Sequence, residues 1–129
     1  MAFMKPSLIS ALLALLMANV GCSHLIKEPI DEANSNLIMG QNYVLAACIM
    51  DRYEGKEIAY EAEIWAQGIV EMSNIQFTAY PDLANIVSNY AVEPQLSRHG
   101  NPMLMKNCIS LYNDKDVVQQ VYNIINRKD

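Results

Sequence analysis

Apolar side chains recur at intervals of three and four residues along most of the chain beyond residue 33, which is the spacing of an α-helix. No comparable alternation of apolar and polar residues predicts a β-strand. The first predicted helix runs from a cap at Asn34 or Ser35 to about Tyr53, and Gly55 is expected to end it in the left-handed conformation. The pattern therefore predicts an all-α protein, a small single-domain bundle of four to five helices.

The second predicted helix has the most regular apolar pattern. Its spacing predicts an amphipathic helix whose apolar side packs on the core. The residues on that side are Ile58, Ala62, Trp65, Ile69 and Met72. A third helix is expected to begin near Thr78, with Pro81 in its first turn, where the missing N–H of proline costs no hydrogen bond.

Two further helices are predicted in the last third of the chain. Asn101 and Pro102 resemble the cap and first residue of a fourth helix, which extends to about Tyr112. This helix is apolar on two sides and is expected to be central and buried, with Leu104, Cys108 and Leu111 on one side and Met105, Ile109 and Tyr112 on the other. The last helix is expected from about Asp114 to Arg127, burying Val117, Val118, Val121, Ile124 and Ile125.

The N-terminal 22 residues are typical of an export signal. A single charge at Lys5 precedes an apolar run over residues 8–18 that is too short to span a bilayer. The run is followed by Asn19-Val20-Gly21-Cys22, which resembles a bacterial lipobox and makes Cys22 a candidate for lipidation. Ordinary signal cleavage nearby is the alternative, and both predict export, into a Gram-negative periplasm. Residues 23–33 are then an N-terminal arm or tether, and residues 34–129 the helical domain.

Export bears directly on the two cysteines that remain after processing. Cys48 and Cys108 both fall on apolar helix faces, and thiols outside the reducing cytosol are expected to pair. A bridge between them would close a loop of about 60 residues and contribute about 4 kcal/mol to stability on the chain-entropy model. Two buried free thiols are the alternative.

The charge balance excludes more functions than it identifies. All 14 acidic residues but only eight of the nine basic ones lie beyond residue 22, which gives the mature part a net charge of −6. Nucleic acids and anionic lipids bind clusters of Lys and Arg, so we predict that neither is a ligand. A basic protein partner is compatible with this surface.

Candidate chemistry is scarce, and we predict that the protein is not an enzyme and uses no cofactor. His24 lies beside the leader, so His99 is the single histidine of the predicted domain, and no nucleophile is paired with it by spacing. His99, Met103 and Met105 have a spacing that would suit cuprous copper, but methionines of this kind more often fill gaps in a core. We therefore predict no metal site.

The segment with the strongest indication of a contact role is the loop over residues 92–101. It is polar and lies between two predicted helices, as do the binding loops that rigid scaffolds present. Its candidate contact residues are Glu93, Gln95, Ser97, Arg98 and His99. A solvated connector without function is the alternative.

Several segments along the chain occur in an order that resembles one known family. They are residues 42–49 around Cys48, residues 71–75 with Tyr80 after them, Tyr90, residues 102–112 around Cys108, and residues 114–117. Together they resemble the immunity proteins of type VI secretion amidase effectors, specifically those cognate to the fourth class of peptidoglycan amidases. The resemblance covers about residues 40–125.

The resemblance implies an all-helical periplasmic inhibitor, a homodimer with a disulfide at Cys48 and Cys108. Its partner would be the cognate peptidoglycan amidase, an enzyme similar to papain-like cysteine peptidases, whose catalytic cleft a loop of the immunity protein enters. In this chain, residues 92–101 stand at the position of that loop. A small envelope lipoprotein with a structural or copper-handling role is the alternative function.

Overall fold

The computed structural model describes residues 32–128, and within them all regular secondary structure is helical. The predicted all-α class is confirmed. The helices are α1 (Glu32–Arg52), α2 (Glu57–Met72), a short 3-10 helix (Phe77–Ala79), α3 (Tyr80–Asn89), α4 (Leu104–Asn113) and α5 (Lys115–Ile125). The predicted export signal, Cys22 and most of the predicted arm lie outside the described residues.

Helix α1 is the element around which the others pack. Its residues Val44, Ala46 and Cys48 are fully buried, and α2 packs on one side of it while α3, α4 and α5 pack on others. The helix begins at Glu32, ahead of the predicted cap at Asn34 or Ser35. A carboxylate in the first turn is favourable there because it faces the positive end of the helix dipole.

The core lies between α1 and the C-terminal half of the chain. Leu83, Leu111 and Val121, from α3, α4 and α5, are fully buried together with both described cysteines. The predicted disulfide is confirmed: Cys48 and Cys108 are bonded, with their Cα atoms 5.6 Å apart. The bond therefore joins the central helix to α4 from inside the core.

Two tyrosines pack the end of this core where α2 leads into α3. The rings of Tyr43 and Tyr80 meet edge to face with centroids 4.8 Å apart. The Tyr80 hydroxyl shares a hydrogen bond with the Ser73 hydroxyl at the end of α2. Burial raises the pKa of Tyr43, and the neighbouring Tyr80 raises it further.

The helix ends that depend on local backbone interactions lie close to where they were predicted. Gly55 has a φ of 76°, which confirms the left-handed stop after α1. Pro81 lies in the first turn of α3, as predicted. Asp114 caps α5, since its carboxylate accepts hydrogen bonds from the backbone N–H groups of Asp116 and Val117.

The predicted buried face of α2 is wrong in part. Ala62 and Ile69 are buried as predicted, but Ala66 joins them, while Ile58 and Trp65 are each 40% exposed and Met72 is 75% exposed. Helix α2 packs mainly on α1, and small alanines at that contact let the two helices approach closely while the large side chains lie at its edge. In α4, Ile109 is likewise exposed rather than buried.

The start of α4 also differs from the prediction. The helix begins at Leu104, and Asn101 and Pro102 are extended instead of forming its cap and first residue.

No helix among residues 32–128 is both long enough and apolar enough to cross a bilayer.

Candidate functional site

The loop between α3 and α4 is a small ordered hairpin. The backbone N–H of Ser97 donates to the carbonyl of Asn101 at 2.7 Å, and that of Met103 donates to the carbonyl of Gln95 at 2.8 Å. Leu96 lies opposite Pro102 as an antiparallel bridge pair between these two bonds. We use "the hairpin" for residues 92–103, which include the whole predicted contact loop.

A tight turn closes the tip of the hairpin. The N–H of Gly100 donates to the carbonyl of Ser97 at 2.9 Å, and Gly100 has a φ of 80°, which residues with a Cβ rarely adopt. The Ser97 hydroxyl accepts a further hydrogen bond from the N–H of Asn101 at 3.2 Å. Arg98 and His99 are the two central residues of this turn, and both are exposed.

The five predicted contact residues lie in three different settings. Arg98 and His99 lie together at the tip, whereas Glu93 and Gln95 are exposed nearer the base, where Gln95 accepts a hydrogen bond from Lys106 Nζ on α4. Ser97 is half-buried, and its hydroxyl serves the turn itself. Arg98 and His99 are thus the two predicted contact residues that are exposed at the end of the hairpin.

Sequence reasoning missed the apolar residues of the hairpin. Leu96 is 65% exposed and Val92 is 52% exposed, although both sit in a segment that is otherwise polar. Because side chains alternate between faces along a hairpin, Leu96 and Pro102 lie on one face, and Ser97 and Asn101 on the other. An isolated leucine in a polar loop was the available signal for this apolar face.

The base of the hairpin is tied to the helices by Asn107 of α4. This side chain is 4% exposed, and its Nδ2 donates to the carbonyl of Val92 at 2.9 Å. Its Oδ1 accepts from Nε of Arg52, the last residue of α1, at 3.3 Å. The next residue after Asn107 is the disulfide cysteine Cys108, so the hairpin rests on a covalently joined pair of helices.

A groove runs beside the hairpin base between α1 and α3. It has a volume of about 460 Å³ and is open to solvent, and its walls are Asp51, Arg52, Val87, Ser88, Tyr90, Val92, Glu93 and Pro94. Burial raises the pKa of Tyr90 in this wall, and the negative charge of Asp114 raises it further. The groove extends the surface that a partner of the hairpin would meet.

A second surface is formed by exposed apolar residues of α2. We call it the α2 face; its members are large apolar residues that remain exposed, namely Ile58, Tyr60, Ile64, Trp65 and Met72. A shallow depression between Ile58 and Trp65 reaches the buried residues Ile49 and Ala62. Exposed apolar residues concentrated on one helix mark a contact surface more often than isolated ones do.

Two residues of the copper alternative lie in different surroundings. His99 is exposed at the tip, whereas Met105 is half-buried and packs against the hydrophobic core. Within residues 32–128, no group of three or more His, Cys, Asp and Glu side chains is placed to hold a metal ion. Met105 therefore does what methionine commonly does in a helical core.

One family model matches the chain. It is Tai4, described as type VI secretion system (T6SS), amidase immunity protein, and it matches residues 39–121. The match runs from α1 to α5 and includes the hairpin and both cysteines of the disulfide. No curated protein matches the chain. Because the family model covers more than half of the sequence, this chain belongs to the Tai4 family of type VI secretion system amidase immunity proteins.

Proposed function

We propose that the protein acts in the periplasm as the inhibitor of a cognate peptidoglycan amidase effector, whose active-site cleft it fills with the hairpin. Membership of the amidase immunity family supplies the class of partner. The observation that carries the cleft-filling role is the tip itself, where Arg98 and His99 are exposed on a turn closed by backbone hydrogen bonds. A hydrogen-bonded turn with exposed polar side chains at its end is suited to enter an enzyme cleft.

The order of the hairpin favours tight binding. A loop that must become ordered on binding loses conformational freedom, which costs about 0.5–1.5 kcal/mol for each immobilised side chain. Here the pairs Ser97–Asn101 and Gln95–Met103 fix the backbone before the partner arrives. More of the contact energy is then available for affinity.

The tip offers both polar and apolar contacts. Arg98 and His99 supply hydrogen-bond donors for the polar groups of a catalytic cleft. Leu96 adds an apolar side chain that is now 65% exposed, and burying that remaining exposed part against the amidase would contribute about 1–2 kcal/mol. We propose that Leu96 occupies an apolar part of the cleft beside the polar tip.

The acidic surface would steer the association of the protein with a basic partner by electrostatic attraction. The part of the chain beyond residue 22 carries a net charge of −6, which would accelerate association with a basic amidase surface and slow it as salt screens the attraction. Inhibition by occlusion needs no catalytic group, and we propose a stoichiometric inhibitor that is not an enzyme.

Export and membrane anchoring are part of the proposal for residues 1–22. Removal of this segment would deliver the domain to the compartment where the amidase cuts peptidoglycan. Lipidation of Cys22 would in addition hold the domain at the membrane through the arm. The mass of the mature N-terminus distinguishes an acylated Cys22 from a chain cleaved elsewhere.

We also propose that the protein is a homodimer joined through the α2 face. Helix α2 packs mainly on α1 through its alanines, which leaves Trp65 and its apolar neighbours exposed at the edge of that contact and beyond it. Pairing two copies through these residues would remove their apolar area from water. The α2 face and the hairpin are separate surfaces, so a dimer would present two tips.

The proposal is tested by measuring amidase activity on purified peptidoglycan at increasing concentrations of the protein. Complete inhibition at a one-to-one ratio of subunits to enzyme is expected, and Arg98→Ala with His99→Ala should weaken inhibition at an unchanged melting temperature. Lys115→Ala is the matched control, since it removes the same charge from an exposed position on α5. Equal inhibition by the tip variant and the control would remove the hairpin from the mechanism.

A further inference from the structure

Asn107 is a buried polar residue whose two hydrogen bonds reach two different parts of the fold. Its side chain is 4% exposed, which is unusual for asparagine. The carboxamide oxygen faces the guanidinium of Arg52 at the end of α1, and the carboxamide nitrogen faces the carbonyl of Val92 at the start of the hairpin. Both polar atoms of the side chain are thereby satisfied.

The two partners make asparagine chemically specific at this position. A guanidinium N–H can only donate a hydrogen bond, and a backbone carbonyl can only accept one. The residue between them must accept on one side and donate on the other, as an uncharged carboxamide does. Arg52 therefore fixes which way the amide points, and is itself held by Asp51 through an ion pair of 2.6 Å.

The contact with Val92 ties the first residue of the hairpin to α4, whereas the bond from Lys106 to Gln95 ties a residue farther along it. Helices α1 and α4 are already joined by the Cys48–Cys108 bond, whose residues adjoin Asn107 in α4 and precede Arg52 by one turn in α1. The upper part of the hairpin is held by the backbone pair between Gln95 and Met103. At its lower end, the Val92 carbonyl is anchored to the helices through Asn107.

We propose that Asn107 is a positioning residue for the amidase-binding hairpin, oriented by Arg52 and acting through the carbonyl of Val92. This inference rests on the proposed function, because it assigns the affinity for the amidase partly to a side chain that the amidase does not touch. Anchoring residue 92 sets the angle at which the hairpin leaves the bundle. Binding of the tip in the cleft then costs less conformational entropy, because the hairpin already has one orientation.

The test compares Asn107→Asp with Asn113→Asp. Aspartate at position 107 keeps an acceptor for Arg52 but places a carboxylate oxygen against the Val92 carbonyl, so the anchor alone is lost. Asn113 lies on the same helix, is exposed, and its Nδ2 also donates to a backbone carbonyl, that of Ile109 at 2.9 Å. The control therefore introduces the same charge and removes the same type of bond without touching the hairpin.

Two readouts are expected to change in Asn107→Asp and stay at wild-type values in Asn113→Asp. Hydrogen exchange of the free protein should become faster at the N–H groups of Ser97 and Met103, and the Kd for the amidase should rise about tenfold. In a variant that already lacks the tip through Arg98→Ala and His99→Ala, Asn107→Asp should add little to the loss of affinity, because both changes act through the hairpin. Wild-type exchange, or equal affinities for the two aspartate variants while the tip variant binds weakly, would overturn the proposal.

Arg52→Ala keeps the proposal testable if Asn107→Asp does not fold. It frees the amide of Asn107 to rotate, and exchange at the same two hairpin amides should become faster than in the charge control Lys115→Ala. Unchanged exchange in Arg52→Ala would count against the assignment. Exchange is measured without the amidase, so this result stands even if the tip variant shows that the hairpin does not block the enzyme.

Discussion

Cys48 on α1 is bonded to Cys108 on α4 in the centre of the core, and both side chains are fully buried. The residue before Cys108 is Asn107, which holds the base of the hairpin. The disulfide therefore fixes the helix position next to the residue that holds the hairpin. It joins two residues 60 positions apart in the chain. Stability and presentation of the hairpin depend on the same pair of helices.

Removing this bond should destabilise the domain strongly. Cys48→Ala combined with Cys108→Ala is expected to lower the free energy of unfolding by about 4 kcal/mol, because the unfolded chain regains the freedom of a long loop. Urea unfolding monitored by far-UV circular dichroism measures the loss. A decrease below about 1 kcal/mol, well under the range typical of native disulfides, would contradict the structural role given to the bond.

The α2 face should hold two copies together. Sedimentation equilibrium of the wild-type protein is expected to give a dimer, and Trp65→Glu should raise the dimer Kd at least about 100-fold, since a charge would replace a central aromatic side chain. Gln120→Glu adds the same charge at an exposed position on α5, away from the α2 face, and should leave the dimer intact. A wild-type monomer, or equal dimerisation of both variants, would show that this face is not the interface.

Two glycines should respond in opposite directions to the same substitution. A Cβ at Gly40 would lie 2.8 Å from Cγ1 of the fully buried Val121, so Gly40→Ala should force α1 and α5 apart and cost about 1–3 kcal/mol. A Cβ at Gly68 would meet no atom within 4 Å, and Gly68→Ala should stabilise α2 by about 0.5–1 kcal/mol.

Urea unfolding of both glycine variants in the Trp65→Glu background measures these changes without a contribution from the dimer. The sign of the effect is the test. A neutral Gly40→Ala would contradict the packing described for α1 and α5, and destabilisation by Gly68→Ala would contradict the open space described beside Gly68.

The protein should lose stability at alkaline pH through Tyr43. Burial raises the pKa of this phenol in the folded state above its ordinary value of 10.0, so its contribution to stability is complete below that pH. The contribution is lost as the pH rises through the folded-state pKa, because the unfolded chain ionises first. Tyr43→Phe should therefore lose less stability than wild type between pH 9 and pH 11, as measured by urea unfolding at each pH. Parallel pH profiles of the two proteins would contradict this assignment.

Much of the fold follows from the sequence because it depends on local chemistry or on the compartment. Helical spacing predicted the class, Gly55 predicted the end of α1, and the export signal inferred from residues 1–22 predicted the pairing of Cys48 with Cys108. The buried face of α2 was predicted less well. Periodicity identifies an apolar side but not its partner, and contact with α1 alone buries the alanines and leaves Trp65 half-exposed.

The position of the contact loop was predicted from the sequence, but its hairpin structure was not. The pair Asn101-Pro102 has the local appearance of a helix start, yet the backbone bond from Met103 to Gln95 holds both residues extended. Asn107 gave no signal, because a helical asparagine is usually solvated, and its partners Arg52 and Val92 are 55 and 15 residues away in the chain. Contacts that join distant segments are beyond what spacing can predict.

If the hairpin fills the catalytic cleft of the amidase, as proposed, it should shield the catalytic cysteine that the family resemblance implies for the enzyme, and alkylation of that cysteine measures the shielding. In the described residues both cysteines are bonded to each other, and mass spectrometry of amidase peptides reports the enzyme thiol alone. Saturating wild-type protein should protect that thiol from a small alkylating reagent, and the Arg98→Ala, His99→Ala variant at the same concentration should protect it less. Alkylation at the rate of the free enzyme while the complex is demonstrably formed would contradict the account.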